Sequence, residues 1–120
     1  MKTHGIIWAG LCVEDLEASI SFYRDVLDLP LLNRGADWAH LDAGEGALFE
    51  LFTGGKASHE PKSSYRQSFA LALRVDDLAV AVEELEQKGV AFTGEEGEYE
   101  GTRWSYFLDL EGNRLALKEV

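Results

Sequence analysis

The stretch Val13-Glu14-Asp15-Leu16 returns in the second half of the chain as Val75-Asp76-Asp77-Leu78. In both places an alternating apolar pattern, typical of a strand, leads into the stretch, and an apolar stripe with helical spacing follows it. Asp15 and Asp77 stand where a helix N-cap is expected, because a carboxylate accepts the free backbone N–H groups of the first turn. The chain therefore contains two copies of one unit, which begins with a strand and a helix.

Each copy continues with signs of three further strands. The first helix is expected from residue 15 to about residue 27, and the second from 77 to 88, with Gly89 as its stop signal. Turn residues and apolar alternation then predict strands at 31–33, 36–41 and 47–52, and at 90–93, 102–108 and 114–119. The acidic, glycine-punctuated segment 94–101 is predicted to be a loop that can move over a site.

Length and composition favour one compact domain built from the two copies. With 120 residues, of which 46% are hydrophobic, the chain has enough apolar material to form a core. We expect a first module at residues 1–53, a polar linker at 54–67 and a second module at 68–120.

Net charge and cysteine content disfavour several partners and compartments. The formal net charge is −11 at pH 7, which repels nucleic acid and anionic membranes and slightly favours cationic partners. No apolar run has the character of a signal peptide or a membrane span. One cysteine gives no internal disulfide framework and fits a reducing compartment. We therefore expect a cytoplasmic protein without a nucleic-acid or membrane partner.

Several segments resemble the vicinal oxygen chelate superfamily, which includes glyoxalase I, extradiol dioxygenases, and bleomycin- and fosfomycin-resistance proteins. They are residues 13–19 with Phe22-Tyr23 and Leu27-Asp28-Leu29, and residues 107–115 around Glu111-Gly112-Asn113. The resemblance covers nearly the whole chain. It implies an α+β fold in which two paired βαβββ modules form a curled mixed sheet around a cleft. It also implies a homodimer, as do the open ends of a curved sheet.

The superfamily's metal centres use one position on the first strand and one on the last strand of each module. Carried over to this chain, these positions fall on Trp8, Glu50, Ala70 and Ala116. A catalytic zinc centre needs about three protein ligands, and of these four residues only Glu50 supplies one. We therefore predict no metal and no cofactor. This disfavours metal-dependent glyoxalase and extradiol dioxygenase activity, both of which need the ion to polarise substrate oxygens.

The inward faces of the strands are predicted to carry a ligand pocket with a few polar anchors. Glu50 is the single catalytic candidate, and the alternative is a structural role in which it pairs with an arginine across the sheet or across a dimer interface. The three histidines (His4, His40 and His59) have no paired ligand spacing and are interpreted as ordinary side chains. The predicted ligand-binding residues are Trp8, Cys12, Glu50, Phe52, Arg74, Trp104 and Arg114.

Three functions remain open at this point. The favoured one is a metal-free small-molecule binding protein, similar to the bleomycin-resistance branch, for an aromatic or cationic ligand. The alternative is a glyoxalase-type lyase or dioxygenase-like enzyme that uses Glu50, with or without a divalent metal. If Trp8 fills the cavity completely, the domain is better described as an interaction module.

Overall fold

The computed structural model describes residues 1–63 and 66–120. Residues 64 and 65, which belong to the predicted linker, lie outside the described residues. The chain divides into two compact units, Met1–Ala57 and Ser58–Val120. Within each unit the order of elements is a strand, a helix and three strands, as the sequence predicts. The fold class is α+β.

The first unit is a four-stranded sheet in the order β1-β4-β3-β2, with one helix. The edge strand β1 runs parallel to β4, while β3 is antiparallel to both of its neighbours. The elements are β1 (Trp8–Val13), α1 (Leu16–Ser21), β2 (Leu31–Arg34), β3 (Trp38–Asp42) and β4 (Leu48–Thr53).

The first helix begins as predicted and ends in an unexpected way. The Asp15 carboxylate accepts a hydrogen bond from the backbone N–H of Ala18 at 3.0 Å, so Asp15 is the N-cap. After Ser21 the helix widens into a π-helical turn over Phe22–Val26. This turn lets Phe22 and the neighbouring Tyr23 both reach the core, where they are 7% and 1% exposed.

The second unit repeats this arrangement with the strand order β5-β8-β7-β6. Asp77 accepts a hydrogen bond from the backbone N–H of Val80 at 3.1 Å, and Gly89 adopts a φ of +88° just after the helix. Both boundary predictions are therefore confirmed. The elements are β5 (Leu71–Arg74), α2 (Leu78–Gln87), β6 (Phe92–Tyr99), β7 (Thr102–Leu108) and β8 (Arg114–Glu119). No helix among residues 1–63 and 66–120 is long and apolar enough to cross a membrane.

The prediction of a loop at residues 94–101 is wrong. Most of this segment belongs to the edge strand β6, which pairs with β7 from Phe92 to Tyr99 with an irregular register before Glu96. Glu100 and Gly101, with φ angles of +48° and +83°, form the tight turn between the two strands. The segment predicted as a loop is therefore mostly an edge strand with a tight turn at its end.

The superfamily-like motif at residues 109–113 has a structural role. One oxygen of the Asp109 carboxylate accepts the backbone N–H groups of Glu111 and Asn113, each at 2.9 Å. The other oxygen accepts a hydrogen bond from the Asn113 side chain. All three residues are buried, so this network fixes the turn that leads into β8. The preceding segment is tied to the same turn, since Lys62 donates to the Asn113 side chain at 2.8 Å.

Candidate functional site

In the first unit one face of the sheet is covered by α1 and the other is not. Phe49 and Leu51 of β4 point toward the helix side, where the Tyr23 ring lies 5.0 Å from the Phe49 ring. Because side chains alternate along a strand, Glu50 lies on the opposite side. The strand register places seven further side chains with it. We call this the first helix-free face, and it comprises Trp8, Cys12, Trp38, His40, Asp42, Leu48, Glu50 and Phe52.

At the centre of this face Glu50 is hydrogen-bonded to His40. The two residues are opposite each other on β4 and β3, and His40 Nε2 lies 2.6 Å from Glu50 Oε1. Their side chains are 30% and 25% exposed. The His40 ring also packs against the Trp38 ring, with 4.7 Å between centroids. The carboxylate is therefore held in place and partly shielded from water.

His40 was missed in the sequence because histidines were assessed by ligand spacing alone. The strands predicted at 36–41 and 47–52 form a hairpin in which Asp42 pairs with Leu48. That pairing puts His40 opposite Glu50. Aligning the two predicted strands as a hairpin around their turn would have shown that His40 lies opposite Glu50. Within this sheet the partner of Glu50 is thus a histidine and not an arginine.

The indole ring of Trp8 lies along β1, the strand to which Trp8 belongs. A methyl group added at Gly10 would overlap the Trp8 ring and come within 3.0 Å of the Phe52 ring, so the indole covers Gly10 and approaches Phe52. Trp8 is nevertheless 49% exposed. Cys12 is half-buried, and its sulfur lies 3.5 Å from the backbone carbonyl oxygen of Thr53. The face therefore offers aromatic surface beside the Glu50–His40 pair.

The charge on this face is acidic. Glu50 and Asp42 lie on it, whereas Arg34 of β2 points to the helix side and forms a two-fold hydrogen-bonded ion pair with Glu17 of α1. The hydrogen bonds from Arg34 lower the pKa of the Glu17 carboxyl below its ordinary value. Among the described residues of this unit, no strand position of the first helix-free face holds a lysine or an arginine.

The second unit also has a face without a helix, and its charge is the opposite. Arg74, Lys118 and Trp104 lie side by side on β5, β8 and β7. The Lys118 ammonium stands 5.2 Å from the centre of the Trp104 ring, and the Arg114 guanidinium stands 4.7 Å from that of Tyr106. We call this the second helix-free face, and it comprises Arg74, Trp104, Tyr106, Arg114 and Lys118.

The seven predicted ligand-binding residues thus divide between the two units. The first helix-free face holds Trp8, Cys12, Glu50 and Phe52, and the second holds Arg74, Trp104 and Arg114. Each group shares one face of its sheet, as alternation predicted.

The family model for the glyoxalase/bleomycin resistance protein/dioxygenase superfamily matches residues 5–117. The chain belongs to this superfamily. A probable lactoylglutathione lyase of Vibrio cholerae serotype O1 is 29% identical, over 98% of this chain and 91% of that protein. The glutathione transferase FosA of Serratia marcescens is 29% identical, over 89% of this chain and 74% of that protein.

A solved structure adds support for the fold of this superfamily member. TnmS3, an antibiotic binding protein from Streptomyces sp. CB03234, superposes with a TM-score of 0.71 at 24% identity, over 99% of this chain and 98% of that chain.

Of the four residues predicted at the superfamily's metal positions, one has a side chain that can bind a metal ion. Trp8 and Ala116 offer no ligand atom, and Ala70, which precedes β5, offers none either. Glu50 is engaged with His40. Across residues 1–63 and 66–120, no three histidine, cysteine or acidic side chains come together in a way that would hold an ion.

Proposed function

We propose that the protein is a metal-free binding protein for a small aromatic cation, which it holds on the first helix-free face. The observation that carries this proposal is the Glu50 carboxylate. It is 25% exposed and lies among aromatic rings. No lysine or arginine of the described part of this sheet faces it.

Two physical effects favour a cationic ring at this place. A carboxylate that is partly removed from water attracts a positive charge more strongly than an exposed one. The faces of the Trp8 and Trp38 indoles attract cations as well, by about 0.5–1 kcal/mol at exposed sites. His40 supports the carboxylate by the 2.6 Å hydrogen bond and fixes its orientation. A planar cation would therefore gain from both charge and stacking.

The side chains at the superfamily's metal positions support the metal-free part of the proposal. A catalytic zinc centre needs about three protein ligands, and three of the four positions hold tryptophan or alanine. The names of the Vibrio and Serratia relatives describe enzymes, whereas that of the Streptomyces protein describes antibiotic binding. Binding is the function that the residues of this chain favour.

Isothermal titration calorimetry with a matched pair of ligands tests the proposal. N-methylquinolinium is a planar cation, and quinoline is its neutral analogue at pH 8. We expect the cation to bind about tenfold more tightly than quinoline, which corresponds to ~1.4 kcal/mol. Glu50→Gln keeps the shape of the side chain and should remove this preference.

Glu45→Gln is the matched control. Glu45 lies in the turn between β3 and β4, so this change removes one negative charge from the same hairpin without touching the face. It should change the affinity by less than about twofold, because an exposed distant charge is screened. Equal binding of quinoline, or an equal loss in Glu45→Gln, would refute the proposal. Circular dichroism verifies that both variants fold.

An activity assay separates this function from the enzymatic alternative. The Vibrio cholerae relative is named as a lactoylglutathione lyase, so that activity should be measured with and without added Zn²⁺. We expect none in either case. Activity that depends on Glu50 would favour the enzyme over the binding protein.

We further propose that the protein is a cytoplasmic homodimer. Three large apolar side chains are strongly exposed just before the edge strands β1 and β5. Ile6, Ile7 and Phe69 are 88%, 70% and 88% exposed. Covering them in a partner contact would remove apolar surface from water. The single cysteine is free, which fits a reducing compartment.

A further inference from the structure

The second helix-free face brings two like charges together. Arg74 and Lys118 stand opposite each other on the parallel strands β5 and β8. Within residues 1–63 and 66–120, neither side chain has a carboxylate partner within ion-pair distance. Like charges directly opposite each other on neighbouring strands repel and destabilise the sheet. An anion that binds to both would relieve this repulsion.

Among residues 58–63 and 66–120, no carboxylate supplies that anion. Glu95 bonds to Arg114 at 3.0 Å, which leaves Arg74 and Lys118 unneutralised. Glu98 of β6 lies opposite Arg103 in the strand register, on the side of the sheet that faces α2, and Arg103 contacts Glu119. This face is therefore basic, although acidic residues outnumber basic residues in the unit as a whole.

Aromatic rings lie beside these cations. The Trp104 ring is laid flat over β6, since a methyl group added at Gly97 would overlap it. Lys118 stands 5.2 Å from the centre of that ring, on the neighbouring strand. A cation held by a ring loses less conformational freedom when it binds a ligand than a free side chain does. The face is thus partly organised for an anion.

The small side chain of Ala72 leaves room next to this row. Ala72 of β5 is paired with Ala116 of β8, two positions before Arg74 and Lys118. Ala72 is exposed, whereas Ala116 is buried. A flat ring over Ala72 would bring its acidic substituent to the two cations. We propose that the second helix-free face binds a small aromatic carboxylate, independently of the function proposed for the first sheet.

Calorimetry with 2-naphthoate and its neutral analogue 2-naphthamide tests this site on the full chain. We expect naphthoate to bind about fivefold more tightly than the amide, and Lys118→Gln to remove most of that difference. Arg74→Gln should have a similar effect, which keeps the test decisive if one variant fails to fold.

Arg103→Gln is the matched control. It removes a positive charge from β7, next to Trp104 in sequence but on the α2 side of the sheet. It should change the affinity for naphthoate by less than about twofold. Equal binding of acid and amide would overturn the proposal, and so would an equal loss in Arg103→Gln and Lys118→Gln. Neither result bears on quinolinium binding, so failure of this site and failure of the first site are distinguishable.

Discussion

His40 Nε2 lies 2.6 Å from Glu50 Oε1, across the antiparallel strands β3 and β4. Both side chains are only partly exposed, and the Trp38 ring packs against the His40 ring. A hydrogen bond to a carboxylate is stronger where water is partly excluded. His40 therefore keeps the Glu50 carboxylate in one orientation, which a site for a cation requires.

A double-mutant cycle should reveal coupling between these two residues. His40→Phe retains ring packing against Trp38 but leaves Glu50 without its hydrogen bond, and we expect a loss of about 1 kcal/mol in the free energy of unfolding. In the Glu50→Gln background the same substitution should cost less, because no charged acceptor remains. Urea unfolding of the four proteins measures the difference. If the two substitutions lower the free energy of unfolding additively, the hydrogen bond between His40 and Glu50 contributes nothing to stability.

Gly10→Ala should weaken cation binding more than it weakens the fold. The added methyl group would displace the Trp8 indole, but Trp8 is 49% exposed and has room to move. We expect a stability change below about 1 kcal/mol and about a threefold loss of affinity for N-methylquinolinium, since ring contact is lost. In the Trp8→Ala background, Gly10→Ala should change the affinity no further. If Gly10→Ala also lowered the affinity in the Trp8→Ala background, its effect would not depend on displacing the Trp8 ring.

Purified protein should carry no stoichiometric zinc, nickel, iron or manganese. Glu50 is the single possible ligand among the four residues predicted at the superfamily's metal positions, and it is hydrogen-bonded to His40. Elemental analysis after dialysis is the measurement. A value near one metal per chain would contradict the account, and its loss in Glu50→Gln would place the metal at that residue.

Light scattering should give a mass of twice 13.3 kDa at micromolar concentration. Ile7→Ser combined with Phe69→Ser should shift the mass toward that of one chain, because both side chains lie next to edge strands and are strongly exposed. Leu110→Ser is the control, since Leu110 is also exposed but lies in the turn before β8. A wild-type mass of 13.3 kDa would exclude the dimer.

Local signals predicted most of the fold. Asp15 and Asp77 mark their helix starts because a capping carboxylate acts within one turn. The alternation around Glu50 placed it on the side of the sheet away from α1, since a strand has a period of two. Helix caps and strand alternation depend only on residues that are close in the chain, so they can be predicted from a single sequence.

Features that depend on pairing were harder to predict. The segment 94–101 looks like a loop by composition, but its backbone groups pair with β7. The hydrogen bond of His40 likewise depends on the register between two strands and not on the spacing of ligand residues. Gly97 contributed to the wrong loop prediction, because it lies inside a strand, where it makes room for the Trp104 ring.

The indole N–H resonances of the three tryptophans offer the most direct test of the central claim. Trp8 and Trp38 lie on the first helix-free face, and Trp104 lies on the second. Protein labelled with ¹⁵N at the indole nitrogens should be titrated with N-methylquinolinium in the presence of a chelator, after assignment by single Trp→Phe variants. We predict saturable shifts of the Trp8 and Trp38 signals with Trp104 unchanged, and we expect Glu50→Gln to need about tenfold more ligand for the same shifts. Shifts confined to Trp104, or no shift at any tryptophan, would contradict the account.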